Sequence, residues 1–179
     1  MLRQMREIEH LEGLDSSDST PESICISVAK IFHVEDTEVA LLELGGRHLN
    51  FLHPAELKTA GAIPLSSSAV AARTARTKHS ELFNSFTQVK HSSIFELVKL
   101  GDTGLDAQVI QKLMSAPVLV ENGQVVGVIQ VSRKAPRPAA AGPDFTSDDL
   151  RKLESVARVV GRLMPKGKHR HGHTGTRNS

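Results

Sequence analysis

The chain has 179 residues, a net charge of +2, one cysteine, six Phe and neither Trp nor Tyr. This length suits one domain with a sizeable core. Residues 165–179 carry four basic residues and no acidic residue, so residues 1–164 sum to a net charge of −2. A nearly neutral body with few aromatic rings lacks the basic face and stacking platforms of nucleic-acid-binding proteins, so no nucleic acid partner is expected.

The sequence contains no apolar run long enough to cross a membrane, and its N-terminus lacks the apolar core of a signal peptide. We therefore expect a cytoplasmic protein without a membrane partner. A single cysteine cannot form an internal disulfide. Cys25 stands between Ile24 and Ile26, which favours a small buried hydrophobic residue over a reactive thiol.

Two helices are predicted at the start of the chain. Residues 2–12 place an apolar side chain at every third position, which is typical of a short amphipathic helix. Thr20 followed by Pro21 predicts the cap and first turn of a second helix, which ends near His33. We expect residues 1–19 to form an N-terminal helix and linker, followed by one domain over residues 20–164.

A first hairpin is predicted from residues 38–44 and 48–52, which flank a Gly-Gly pair, and residues 60–63 suit a short third strand. Ser66, Ser67 and Ser68 are N-cap candidates for a helix over residues 69–76. A short strand is predicted over residues 80–83.

Residues 84–111 read as irregular, with turn signals at residues 101–104 and one short helix around 92–98. This stretch separates the predicted strand 80–83 from the next pair of strands.

The clearest pattern lies at residues 114–134, where two apolar runs flank Asn122-Gly123. Asn-Gly tolerates positive φ at both central positions of a type I′ turn, so a hairpin with that turn is predicted. Gly127 lies inside the second run. It indicates either a bulge, which we favour, or close approach by a backbone or ligand.

The last predicted helix begins at Thr146, whose hydroxyl and the Asp149 carboxylate suit a capping box. Apolar residues then recur at spacings of three and four, which makes a seam suited to packing on the sheet or on another helix. The seam consists of Leu150, Leu153, Ala157, Val160 and Met164. Pro165 should end this helix, and residues 165–179 are expected to be a disordered, basic, His-containing tail.

Three segments together resemble the GAF domain family over roughly residues 20–164. They are the hairpin at 114–134, Pro-Leu-Ser-Ser-Ser-Ala-Val-Ala-Ala-Arg-Thr at 64–74, and Phe-Thr-Ser-Asp-Asp-Leu-Arg-Lys-Leu-Glu-Ser-Val-Ala at 145–157. The resemblance implies a PAS-related α+β fold. Its central, mostly antiparallel sheet is flanked by helices, with the N- and C-terminal helices packed together on one face. PAS and related sensor folds would suit the same element order.

The resemblance also implies a sensory module whose pocket lies between one sheet face and the segments after the third strand. Candidate ligand-binding residues are Phe51, Ser66, Ser67, Ser68, Asn84, Phe86, His91 and Phe95. Serines at a helix N-terminus could bind a carboxylate, nitrate or phosphate group. Capping of the helix would by itself explain why serine occurs at these positions, and we favour that interpretation.

Several subclasses of the family are disfavoured by the residues present. The cyclic-nucleotide motif of Asn-Lys, Phe and Asp-Glu is not matched by Asn84-Ser85-Phe86. Bilin attachment and free methionine sulfoxide reduction use cysteines beside the pocket, and a disulfide relay needs a second thiol that Cys25 lacks. Six of the nine histidines show no metal-ligand spacing, namely His10, His33, His48, His53, His79 and His91. His169, His171 and His173 alternate in the tail and could chelate a metal weakly, but we favour a solvated basic tail, so neither a metal site nor a cofactor is expected.

Our first hypothesis is a non-catalytic regulatory domain that binds a small molecule or anion and signals through its terminal helices to a separate protein. A homodimer is expected through the seams on residues 2–12 and 150–164. The alternative is a homodimerising interaction module whose pocket is filled and holds no ligand. No catalytic pair is legible, so the chain is not expected to be an enzyme. A cavity of about 300 Å³ or more would favour the sensor, and a filled core would favour docking.

Overall fold

The computed structural model describes residues 2–14, 19–86 and 109–164. Within these residues the α-helices are Leu2–Glu12 (α1), Pro21–Phe32 (α2), Val70–Thr77 (α3) and Ser147–Leu163 (α4). The strands are Val39–Gly45 (β1), His48–His53 (β2), Ile63–Pro64 (β3), Glu81–Phe83 (β4), Val109–Leu119 (β5) and Val125–Ala135 (β6). Among these helices, none combines the length and the apolar character needed to cross a bilayer.

The strands form one six-stranded sheet in the order β3-β2-β1-β6-β5-β4. Every neighbouring pair is antiparallel. The long hairpin of β5 and β6 lies near the centre, and β1 pairs with the outer side of β6. The predicted α+β fold with an antiparallel sheet is confirmed.

The turn of the central hairpin differs from the prediction. The backbone N–H of Val120 donates to the carbonyl of Gln124 at 3.0 Å, which leaves Glu121, Asn122 and Gly123 as a three-residue loop. Gly123 has a φ of +81°, whereas Asn122 does not adopt positive φ. The Asn122 side chain instead accepts from the Gln124 N–H at 2.9 Å. A three-residue loop with glycine in the left-handed region therefore replaces the predicted type I′ turn.

One face of the sheet, called here the helix face, is covered by α1, α2 and α4, which share a single hydrophobic core with it. The core includes Leu11 of α1, Ile24, Val28 and Ile31 of α2, Val39 and Leu41 of β1, Met114, Ala116 and Val118 of β5, Ile129 and Val131 of β6, and Leu153, Val156 and Val160 of α4. The N- and C-terminal helices therefore lie together on one face, as predicted.

The caps of α2 and α4 follow directly from their sequences. Thr20 accepts from the Ser23 N–H at 3.1 Å, with Pro21 at the first helical position. Thr146 accepts from the Asp149 N–H at 3.1 Å, and the Asp149 carboxylate accepts from the Thr146 N–H at 2.8 Å. Both capping predictions are confirmed, because cap chemistry depends on residues only three positions apart.

The start of α3 was predicted wrongly. Ala69 occupies its N-cap position, and no side chain caps the helix. Ser66, Ser67 and Ser68 belong to the preceding turn, where the Arg76 guanidinium donates to the carbonyl oxygens of Leu65 and Ser67. The turn is therefore held by a residue from the end of the helix rather than by serine caps.

The apolar seam on α4 is occupied within the chain. Leu153 and Val160 are fully buried against the sheet, and α4 contacts β5 along its length. The backbones of α4 and β5 come so close that a Cβ on Gly161 would lie 2.5 Å from the Leu119 carbonyl oxygen. A homodimer remains a prediction, but this seam is not free to form its interface.

Gly127 on β6 marks both a bulge and a close backbone approach. The register between β5 and β6 shifts between Val118, which pairs with Gly127, and Leu119. A Cβ on Gly127 would lie 2.2 Å from the Leu42 carbonyl oxygen. The favoured bulge interpretation is confirmed, and the group that approaches the glycine is backbone.

Some expectations lie outside the described residues. They are the short helix around 92–98, the turns at 101–104 and the tail 165–179. The predicted division into residues 1–19, 20–164 and 165–179 stays a prediction.

Candidate functional site

The face of the sheet opposite α4, called here the polar face, carries a group of polar side chains beside a second hydrophobic core that β1, β2 and β6 share with α3. Ser115 on β5 and Gln130 and Ser132 on β6 are buried there. Successive side chains of a strand point to opposite faces. The neighbouring Ile129 and Val131 consequently belong to the core on the helix face. Over residues 129–132 the strand thus supplies apolar side chains to one face and polar side chains to the other.

A hydrogen-bond chain fixes the orientation of these groups. The Thr74 hydroxyl donates to the Val70 carbonyl at 2.9 Å and lies 2.7 Å from the Ser115 hydroxyl. Because Thr74 has a single hydroxyl hydrogen, Ser115 must be the donor between them. Ser115 in turn accepts from the Gln130 side-chain nitrogen at 3.1 Å. The hydrogen bonds run from β6 through β5 to α3, and each group donates to the next. This series orders the Gln130 side chain.

The short 3₁₀ helix Asp36–Glu38 is tied to the end of β6 by Glu38. Its carboxylate accepts from the backbone N–H of Glu35 at 2.9 Å and from that of Lys134 at 2.6 Å. Its carbonyl accepts from the Ser132 hydroxyl at 3.1 Å. These bonds set the position of the Lys134 side chain relative to the polar face.

Lys134 is a half-buried cation at this point. Its ammonium donates to the Thr37 carbonyl at 3.1 Å. Burial lowers the pKa of Lys134, and the negative charge of Glu38 opposes that shift. Within the described ranges the Lys134 ammonium forms no ion pair.

These groups meet at a cavity of about 30 Å³, enough for about two water molecules. It is lined by Thr37, Glu38, Ala40, Phe51, Pro54, Leu57, Ile110, Leu113, Gln130, Ser132 and Lys134. Carbon-rich side chains therefore face a polar edge that holds the Lys134 cation, the Glu38 carboxylate, the Thr37 and Ser132 hydroxyls and the Gln130 carboxamide.

Two predicted ligand-binding residues lie at or beside the cavity. Phe51 lines it directly. Phe86 is buried in a cluster with Val70 and Leu113, and its ring packs edge-on against Phe83 with centroids 6.0 Å apart. Leu113 belongs both to this cluster and to the cavity wall.

Asn84 has a structural role. Its side-chain nitrogen donates to the Phe145 carbonyl at 2.9 Å, and its oxygen accepts from the Phe145 N–H at 2.8 Å. This pair of bonds joins the segment after β4 to the residue before the cap of α4. Both polar atoms of the Asn84 side chain are engaged there.

The three serines lie apart from the cavity. Ser66 and Ser68 are exposed, and the Ser67 hydroxyl accepts a long bond of 3.4 Å from the Ala69 N–H. None of the three is among the lining residues. His91 and Phe95 fall outside the described residues.

Sequence reasoning missed Gln130, Ser132 and Lys134, although a signal was present. In Val-Ile-Gln-Val-Ser-Arg-Lys, polar residues occupy every second position of a strand that is otherwise rich in β-branched residues. That alternation indicates a strand with one polar face.

Cys25 lies away from the cavity on the polar face. Cys25 is buried on α2 in the core of the helix face. Burial raises the pKa of its thiol, and the negative charge of Asp36 adds to the shift. No group of three or more His, Cys, Asp or Glu residues suited to a metal ion occurs among the described residues.

Comparison with known proteins identifies the fold. Residues 102–164 match the family model of the GAF domain. The crystal structure of the GAF domain from an Acinetobacter phosphoenolpyruvate-protein phosphotransferase aligns with a TM-score of 0.64 over 90% of this chain and 89% of its own, at 13% identity. This chain has a GAF fold. The recognition of the family from the hairpin and flanking segments is confirmed.

Two further structures show the range of proteins that share the fold. A putative GAF sensor protein from Burkholderia vietnamiensis aligns with a TM-score of 0.58 at 17% identity, covering 88% of this chain and 90% of its own. Free methionine-R-sulfoxide reductase from Neisseria meningitidis, in complex with its substrate, aligns with a TM-score of 0.59 at 13% identity, covering 89% and 87%. No curated protein matches the chain in sequence.

The reductase corrects one expectation. We expected that the chain is not an enzyme because no catalytic pair is legible in its sequence, and that prediction is wrong. The same GAF fold holds the substrate of an enzyme in the Neisseria protein. At such low identity the likeness shows the fold alone, so it assigns this chain no reaction.

Proposed function

We propose that this GAF domain is a sensory module that binds a small molecule of a few heavy atoms in the cavity on its polar face. The observation that carries the proposal is the convergence of Gln130, Ser132 and the Lys134 ammonium beside the Phe51 ring. Ligand sites combine an apolar wall with a few placed polar groups in this way.

The rigidity of the polar wall supports a binding role. Burying polar groups costs free energy unless they are hydrogen-bonded. The chain from Gln130 through Ser115 to Thr74 meets that need and fixes the carboxamide before any ligand arrives. A wall ordered in advance binds with a smaller loss of side-chain entropy.

The terminal helices are the proposed output. Gln130 faces the cavity, while Ile129 and Val131 on either side of it pack in the core that holds α4. A ligand that displaces β6 would therefore change the packing of α4, because close-packed cores transmit such shifts. We propose that a separate signalling protein reads this change on α1 or α4.

A thermal-shift panel of small metabolites tests the binding proposal. Ligands present at about 100 times Kd should stabilise the protein by about 2.7 kcal/mol, which corresponds to a rise in Tm of about 5–10 °C. The variant Gln130→Leu should lose this rise. Ser155→Ala on the exposed side of α4 should keep it. Compounds that stabilise all three proteins equally would bind elsewhere and would contradict the proposal.

The docking alternative has its own supporting observation. The cavity of about 30 Å³ is well below the roughly 300 Å³ of a typical ligand pocket. In addition, Met5 on α1 is 57% exposed and Ile26 on α2 is 37% exposed. If the chain is a homodimer formed by these helices, changing both residues to Asp should give a folded monomer in light scattering, whereas Lys30→Glu on α2 should leave the dimer intact.

A further inference from the structure

The chemistry around Lys134 narrows the ligand class, provided that the cavity binds a small molecule as proposed above. We propose that the ligand is a small monocarboxylate whose carboxylate pairs with the Lys134 ammonium while its short carbon chain contacts the Phe51 side of the cavity.

Lys134 supplies a cation with unused donors. An ammonium group has three N–H donors, and the described residues give it one acceptor, the Thr37 carbonyl. Half-buried cations are stabilised by an anionic partner, and bonds between two charged groups are stronger than neutral ones. A carboxylate in the cavity would provide that partner.

Glu38, the acidic residue among the residues that line the cavity, is already engaged. Both oxygens of the Glu38 carboxylate accept backbone N–H bonds, one from Glu35 and one from Lys134 itself. These bonds hold the carboxylate against the backbone of β6, and it does not come within ion-pair distance of the Lys134 ammonium. Among the described residues, therefore, no acid occupies the ammonium, which can pair with a ligand.

The apolar lining and the volume limit what accompanies the carboxylate. Phe51 on β2, Leu57 in the 3₁₀ helix Ala55–Thr59 and Leu113 on β5 face the cavity. A few carbon atoms would satisfy this wall, while a second charged group would be buried against it at high cost. The volume of about 30 Å³ restricts the ligand to a few heavy atoms. The Ser132 hydroxyl donates its one hydrogen to the Glu38 carbonyl. Among the lining side chains, a tetrahedral phosphate would therefore find donors only on Thr37, Gln130 and the Lys134 ammonium.

Methyl NMR with sodium propionate and the neutral isostere propionamide tests this inference on the full chain. Propionate in the millimolar range should shift the methyl signals of Leu57, Ile110 and Leu113, and propionamide should bind at least ten-fold more weakly. Lys134→Met should weaken the binding of propionate at least ten-fold, consistent with the loss of a charged hydrogen bond. Lys134→Arg should retain most of the affinity, and Lys30→Met, which removes an exposed charge on α2, should retain all of it.

The outcomes separate the ligand class from the broader function. Equal binding of propionamide and propionate, unchanged by Lys134→Met, would overturn the carboxylate assignment and leave the cavity as a binding site. Absence of any shift at the three methyl groups with propionate would also overturn it. If no compound of the metabolite panel perturbs these methyl groups either, the proposed function fails as well.

Discussion

The contact between α4 and β5 makes a prediction in which two physical effects have opposite signs. Gly161 lies inside α4, where alanine is favoured over glycine by about 1 kcal/mol. Propensity alone would therefore make Gly161→Ala stabilising. In the structure, the added Cβ would lie 2.5 Å from the Leu119 carbonyl oxygen.

The magnitude follows from that distance. Ordinary contact begins at 3.4 Å, so helix and strand must separate by roughly 0.9 Å. The obstructing atom belongs to the backbone of a strand and cannot rotate away. A gap of this size forfeits a quarter to a half of the dispersion energy of neighbouring contacts such as those of Val160, and overpacking costs up to about 3 kcal/mol. After subtracting the helix propensity, we expect a net loss of about 2 kcal/mol.

Thermal and urea unfolding followed by circular dichroism would measure this loss. A change of about 2 kcal/mol corresponds to a fall in Tm of about 4–8 °C for a chain of this size. Ser155→Ala, on the exposed side of the same helix, is the matched control and should be neutral or slightly stabilising. If Gly161→Ala were as stable as the control, the close packing of α4 on β5 would be refuted.

Three further predictions concern buried polar groups. Thr74→Val should lower the free energy of unfolding by about 1–3 kcal/mol, because it leaves the Ser115 hydroxyl without its acceptor. The double variant with Ser115→Ala should lose clearly less than the sum of the two single losses. Additive losses in urea unfolding would contradict the directed series of hydrogen bonds. Asn84→Ala should lower the free energy of unfolding by about 2 kcal/mol and speed amide exchange at Phe145, whose N–H it leaves without an acceptor. Unchanged exchange at Phe145 would show that Asn84 does not stabilise the start of α4. The Cys25 thiol should resist iodoacetamide in the native protein and react once the chain is unfolded, because burial raises its pKa; rapid native labelling would mean that α2 opens readily.

Features that depend on neighbouring residues could be predicted from the sequence. The capping boxes at Thr20 and Thr146 each involve residues three positions apart, and the first residues of α2 and α4 follow from them. The central hairpin was also legible, because its two apolar runs are long. The type of its turn could not be predicted, because the pairing of Val120 with Gln124 selects a three-residue loop over the two-residue turn that Asn-Gly favours.

The site was harder to predict because it is assembled from distant segments. Ser115 and Thr74 are 41 positions apart, and Glu38 and Lys134 are 96 positions apart. Only the sheet order, with β6 between β1 and β5, brings these residues to one face. Residue type alone favoured the serines at 66–68 and Asn84, yet the structure uses Asn84 to hold α4 and places the serines in a surface turn. Of the candidates, Phe51 lines the cavity.

A crystal structure grown with the most stabilising compound of the metabolite panel would test the central claim most directly. We expect density for the compound in contact with Gln130, Lys134 and Phe51, together with a displacement of β6 relative to the protein crystallised without it. Density for the compound at another surface, with the cavity unchanged, would contradict the assignment of the polar face as the binding site.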